Sequence, residues 1–113
     1  MEKIVEQGLL YDFYGELLTD HQREIYEAAV YNDMSLTEIA DEHGISKQGV
    51  HDLIKRCTKS LQDYEDKLHM IRRFEAIKSQ AEELRGLSQK DLGVEDFREK
   101  VSGISEKIIE ELS

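Results

Sequence analysis

No proline occurs anywhere in this chain of 113 residues, and between Gly49 and Gly86 no glycine interrupts it either. A stretch of that length without a breaker, with apolar residues at helical spacing, is expected to be α-helical. Cys57, Leu61, Tyr64, Leu68 and Ile71 step by four, three, four and three, as in a coiled-coil seam. Phe74, Ile77, Ala81 and Leu84 continue it on a shifted stripe. A straight helix over residues 46–85 would be ~60 Å long. A compact domain of this size has a radius of gyration of only ~13 Å. The helix must therefore bend, break near residues 69–73, or leave the globule and pack against something.

The rest of the chain reads the same way. Ile4, Val5, Leu9, Phe13 and Leu17 recur at three-to-four spacing, which predicts a helix over residues 2–18 with that stripe inward. Thr19 and Gln22 form a capping box. It opens a helix that buries Ile25, Tyr26 and Ala29 and stops at Asn32 in a left-handed turn. Ser35 and Glu38 form a second box, opening a short helix through Leu36, Ile39 and Ala40 that His43-Gly44 closes. Ser46 caps the next helix. Ser88 with Asp91 suggests a further start, and Val94, Phe97, Val101, Ile104 and Ile108 give a last amphipathic helix, weakened at Gly103. No strand alternation of any length appears. The fold is expected to be all-α: a helix-turn-helix domain over 1–61 and a helical extension over 62–113 that serves for dimerisation.

Charge limits the function. The formal net charge is −10, so a protein that coats nucleic acid through bulk positive charge is excluded. Residues 1–34 carry eight acidic and two basic side chains, whereas residues 35–61 balance at four of each. Within that neutral window Glu38, Asp41 and Glu42 precede Ser46, and Lys47, Lys55, Arg56 and Lys59 follow it. Such a stretch can turn one positive face to a negative molecule. The single cysteine excludes an internal disulfide and suits a reducing cytosol. No apolar run approaches the ~20 residues of a membrane span, and MEKIVEQG lacks the form of a signal peptide. The expected location is the cytoplasm, without membrane insertion.

The sharpest motif is SLTEIADEHGISKQGVHDLIKR, residues 35–56. A helix-turn-helix needs a small residue where its helices cross, supplied by Ala40, and a residue tolerant of positive φ four positions on, supplied by Gly44. Ile39, Ile45, Val50 and Leu53 supply the apolar wedge. Ser46, Lys47, Gln48, His51, Asp52, Lys55 and Arg56 would then face outward on the second helix, and most are basic or hydrogen-bonding, as a major-groove helix requires.

Residues 18–56 resemble the DNA-reading helix-turn-helix of bacterial sigma factors. The likeness rests on the Leu18–Gln22 lead-in, Tyr31, Ser35-Leu36, Glu38-Ile39-Ala40, Gly44-Ile45-Ser46 and Lys55-Arg56. The chain is more closely similar to the YlxM family of small bacterial proteins, which adds stretches like Leu10–Thr19 and Leu61–His69; the likeness covers residues 9–75. It implies a DNA-binding regulator, encoded beside the signal recognition particle GTPase in Firmicutes and acting in that secretion pathway. It implies no catalytic activity, and no cofactor is expected. Without the extra domains with which a sigma factor binds polymerase and melts a promoter, the chain is not expected to be one.

On that resemblance Lys47, Lys55 and Arg56 would neutralise phosphates, a log–log salt slope of roughly −3 per subunit. Two subunits would then be needed for tight binding. Gln48 would pair with an adenine edge, Ser46 and His51 would make weaker contacts, and Asp52 would accept from cytosine or repel the groove. Gly49 costs the helix roughly 1 kcal/mol against alanine. The alternative reading is an interaction module whose acidic helices dock a basic protein or ribonucleoprotein, such as the signal recognition particle.

Other residues read more plainly. Cys57 is a small seam residue with nothing nearby to lower its pKa. His21, His43, His51 and His69 lack metal-ligand spacing. Tyr11, Phe13 and Tyr14 belong to the core and rim of the first helix rather than to a base-stacking platform. Glu82-Glu83 and Glu110-Glu111 are solvated faces.

Overall fold

The computed structural model describes residues 3–113; Glu2, the expected start of the first helix, lies outside them. Six α-helices account for most of these residues and no strand occurs among them. They are α1 (Lys3–Tyr14), α2 (Asp20–Val30), α3 (Leu36–His43), α4 (Lys47–Leu68), α5 (Met70–Leu87) and α6 (Val94–Leu112), with a 3₁₀ turn at Gly15–Leu17. The fold is all-α, as expected. Two compact units divide between His69 and Met70.

In the first unit, local chemistry fixes the helix starts. The Thr19 hydroxyl accepts from the Gln22 N–H while the Gln22 side chain accepts from the Thr19 N–H, and Ser35 with Glu38 repeats the exchange. Each box satisfies donors that a helix N-terminus otherwise leaves open. Gly44 closes α3 with φ +65°, and its N–H returns to the Ala40 carbonyl. The core beneath is Ile25, Tyr26, Ile39, Val50, Cys57 and Leu61, all fully buried. Ile39, Val50 and Leu53 of the expected wedge are buried, and Ile45 half-buried. Ala28 is buried where Ala29 was expected, and Ala29 is half-buried.

The first helix buries Tyr11 and Tyr14, as expected of its core and rim, but only part of the expected aliphatic stripe. Ile4, Val5 and Leu17 are about half exposed, at 48%, 53% and 57%, and the buried residues are Leu10, Tyr11 and Tyr14. Aromatic rings bury more area than aliphatic side chains, and a tyrosine can do so if its hydroxyl finds a partner. Here each one does. Tyr11 donates to Glu27 and stacks on Tyr26 with centroids 5.7 Å apart; Tyr14 donates to Glu65 at 2.6 Å. Tyr31 donates to Asp12 and to the Gly8 carbonyl, at 3.0 Å for the latter. Gly15 allows the close approach this needs, since a Cβ there would lie 2.7 Å from the Tyr11 ring.

Two further boundaries differ. The left-handed residue after α2 is Asp33 (φ 51°) rather than Asn32, because the chain stays right-handed at Tyr31 before it turns. Asp tolerates that conformation for the same reason as Asn. Of the expected coiled-coil seam, Cys57 and Leu61 are buried, Tyr64 half-buried and Leu68 exposed, while Ile71, buried, lies beyond the end of α4. His69 caps α4 at φ 55° and returns its N–H to the Glu65 carbonyl at 2.8 Å, so the expected break falls there.

Burial, the leading cause in all three, pushes the phenols of Tyr11, Tyr26 and Tyr31 above the ordinary value near 10; the Asp12 carboxylate adds to it at Tyr31. The fold thus favours the neutral phenol. Its contribution is complete below the unfolded value and is lost as pH rises through the folded one. The urea midpoint is expected to hold from about pH 7 to about pH 9 and to fall above about pH 10, less steeply in Tyr26→Phe. A midpoint unchanged at about pH 11.5 would rule this out.

The second unit pairs α5 with α6. Leu87 and Ile104 are buried, Ile77, Val101 and Ile108 half-buried, while Phe74, Ala81, Leu84, Val94 and Phe97 are exposed. The expected start at Ser88 is absent. Its hydroxyl donates to the Arg85 carbonyl at 2.6 Å, which closes α5, and α6 begins after Gly93 with no side-chain cap. Gly103 lies within α6 without interrupting it.

Candidate nucleic-acid interface

The candidate surface is the first half of α4. Ser46 is its N-cap and accepts from the Gly49 N–H at 2.9 Å, so the Ser46 hydroxyl keeps its own proton and one lone pair for an outside partner. Gly49 sits in this first turn, where a Cβ would press on Ser46 Oγ at 3.1 Å. Its propensity cost is therefore offset by a close cap. Val50, Leu53 and Cys57 turn inward and hold the helix against α2 and α3.

Ser46, Lys47, Gln48, His51, Asp52, Lys55 and Arg56 are all exposed. They flank two shallow hollows. One, about 460 Å³, is lined by Leu36, Lys47, Gln48 and His51; the other, about 390 Å³, by Gly49, Asp52, Lys55 and Arg56. Among the described residues, Lys47, Lys55 and Arg56 enter no ion pair. Three uncompensated cations thus sit on one exposed stretch of an otherwise acidic chain. Asp52, the anionic member, accepts from Gln48 Nε2 at 2.9 Å and lies 3.7 Å from His51 Nδ1. The amide holds the carboxylate along the helix surface.

No group of three or more His, Cys, Asp and Glu side chains among the described residues could hold a metal ion. His21 and His43, far apart in sequence, meet edge to face with centroids 6.0 Å apart, a contact that ties α2 to α3. Burial pushes the Cys57 thiol up, against a weaker opposing pull from Arg56, as suits a packing residue. No helix of the described residues is long and apolar enough to cross a membrane.

Sequence reasoning missed a neighbouring feature. α1 and α4 bound a groove that begins beside this surface and shares His51 and Lys55 with it. Its far wall comes from a helix some fifty residues earlier, and only the folded pairing brings it there.

A family model described as "Putative helix-turn-helix protein, YlxM / p13 like" matches residues 1–103. A UPF0122 protein of Thermoanaerobacter sp. (strain X514) is 43% identical over 106 residues, covering 93% of this chain and 86% of the relative. Those of Shouchella clausii (40% over 95 residues; 84% and 87%) and Acetivibrio thermocellus (39% over 116; 97% and 99%) are similar over comparable lengths. With a helix-turn-helix in its fold, a family model matched over most of its sequence and relatives matched over most of their length, this chain belongs to the UPF0122 family of YlxM / p13-like helix-turn-helix proteins.

Proposed function

We propose that this protein is a DNA-binding regulator that lays the first turns of α4 in the major groove of duplex DNA and acts as a homodimer. The observation that carries this reading is the exposed, unpaired cluster of Lys47, Lys55 and Arg56 beside Gln48, on the second helix of a helix-turn-helix. Lysine and arginine at such positions bind phosphates, and the Gln48 amide can meet an adenine edge with two hydrogen bonds. The Gln48–Asp52 contact leaves one amide proton and the carbonyl oxygen for that purpose. Dimerisation is supported by the apolar side chains that α6 exposes, Val94, Phe97, Ile109 and Leu112. Two recognition helices would engage successive grooves at ~34 Å. The place in the signal recognition particle pathway rests on the resemblance and belongs to the same proposal, as does a cytoplasmic location.

Electrophoretic shifts against the DNA upstream of the protein's own gene test the reading. A shift at low salt is expected, with a log–log salt slope of roughly −5 for two subunits. No shift from the wild type at about 50 mM salt would overturn it.

A further inference from the structure

We infer that the groove between α1 and α4 is a docking site for an amphipathic α-helix of another protein, basic in its amino-terminal half and acidic in its carboxy-terminal half. Gln7 Nε2 donates to Thr58 Oγ1 at 3.3 Å, and Tyr14 donates to Glu65 at 2.6 Å. Both contacts join residues 51 apart and lie seven residues from each other, so the two helices run parallel in a constant register. The groove between them has a volume of about 760 Å³ and an apolar lining of Leu10, Leu36 and Ile54. From His51 to Asp66 it follows α4 for ~22 Å, about four helical turns.

Charge is sorted along this length. Lys3 and Lys55 line the end where α1 begins; Asp63 and Asp66 line the other. Between them lie Glu6 and Lys59, and Lys59 pairs with Asp63 at 3.6 Å across an exposed gap that contributes little. The helix dipole of α1 adds to this pattern, since its positive end lies at Lys3. A third helix lying antiparallel to both would set its negative end there and its basic side chains against Asp63 and Asp66. Its apolar stripe would cover Leu36 and Ile54. A small molecule could not span both charged ends. The inference stands apart from DNA binding, but Lys55 and His51 belong to both surfaces, so a docked helix and a duplex would compete.

Two synthetic 16-residue helical peptides of identical composition serve as probes, with leucines on one face. One carries lysines in its first two turns and glutamates in its last two; the other reverses them. Fluorescence anisotropy and amide shifts of the full chain report binding. The first peptide is expected to bind about ten-fold more tightly than the second, shifting Gln7, Ile54 and Thr58. The variant Lys55→Glu with Asp66→Lys, both at exposed positions, leaves each end with one charge of either sign and should abolish the preference. Failure of both peptides, equal binding to the wild type, or a preference unchanged in the variant would overturn the proposal. So would groove shifts that grow with protein concentration alone, which would mark a second copy as the occupant.

Discussion

Tyr26→Ala is expected to cost the amino-terminal unit about 3–5 kcal/mol, the range for emptying a fully buried aromatic site. The ring stacks on Tyr11 and fills the space between α2 and the middle of α4. Its hydroxyl lies 2.8 Å from Thr58 Oγ1. Because Thr58 already donates to the Ile54 carbonyl, Tyr26 is the donor in that pair. Alanine would leave a cavity, free the Tyr11 ring and remove one of the ties on Thr58. Small domains have only about 5–15 kcal/mol in total, so the variant should be largely unfolded at moderate temperature. Tyr26→Phe keeps the ring and should lose about 1 kcal/mol. Urea denaturation followed by circular dichroism separates the two, and equal midpoints for both variants would contradict this account.

Lys47→Ala with Gln48→Ala is expected to weaken DNA binding about 100-fold or more while leaving stability within about 0.5 kcal/mol of wild type. Both side chains are exposed, and neither belongs to the Ser46–Gly49 cap. Removing a cation from the first turn of a helix slightly favours the helix. The loss of the Gln48–Asp52 contact costs only about 0.2–0.5 kcal/mol. On DNA the balance reverses. Each subunit would lose a phosphate contact and a base contact worth about 1–3 kcal/mol, and Asp52 would be released to repel the groove. Shift titrations at fixed salt measure the effect. Undiminished binding by a folded variant would place the contact elsewhere.

How far the sequence foretold the molecule depended on distance along the chain. Thr19–Gln22, Ser35–Glu38, Gly44 and Ser46 were legible because each acts within four residues of itself. The outward face of α4 was legible because Val50, Leu53 and Cys57 fix its inward side. The buried face of α1 was legible only in part: Tyr11 and Tyr14 read as core and rim and are buried, but the aliphatic Ile4, Val5 and Leu17 are exposed. The carboxylates that satisfy the two tyrosines lie 16 and 51 residues away, where no local pattern points to them. Ser88 misled for a related reason: the same hydroxyl that can open a helix by accepting can also close one by donating. The groove beside α4 was invisible altogether, since no local pattern announces which helix will lie parallel to which.

The length of α4 has a mechanical consequence. Its 22 residues make a rod of ~33 Å. One end carries the outward lysines and the other is clasped by Tyr14 at Glu65. Anchorage runs along the whole beam, since Val50 and Leu53 are buried near its start and Leu61 farther on. The outward side chains at the start can be exchanged without loosening that footing, whereas a change that shifts the clasped end tilts the face they form.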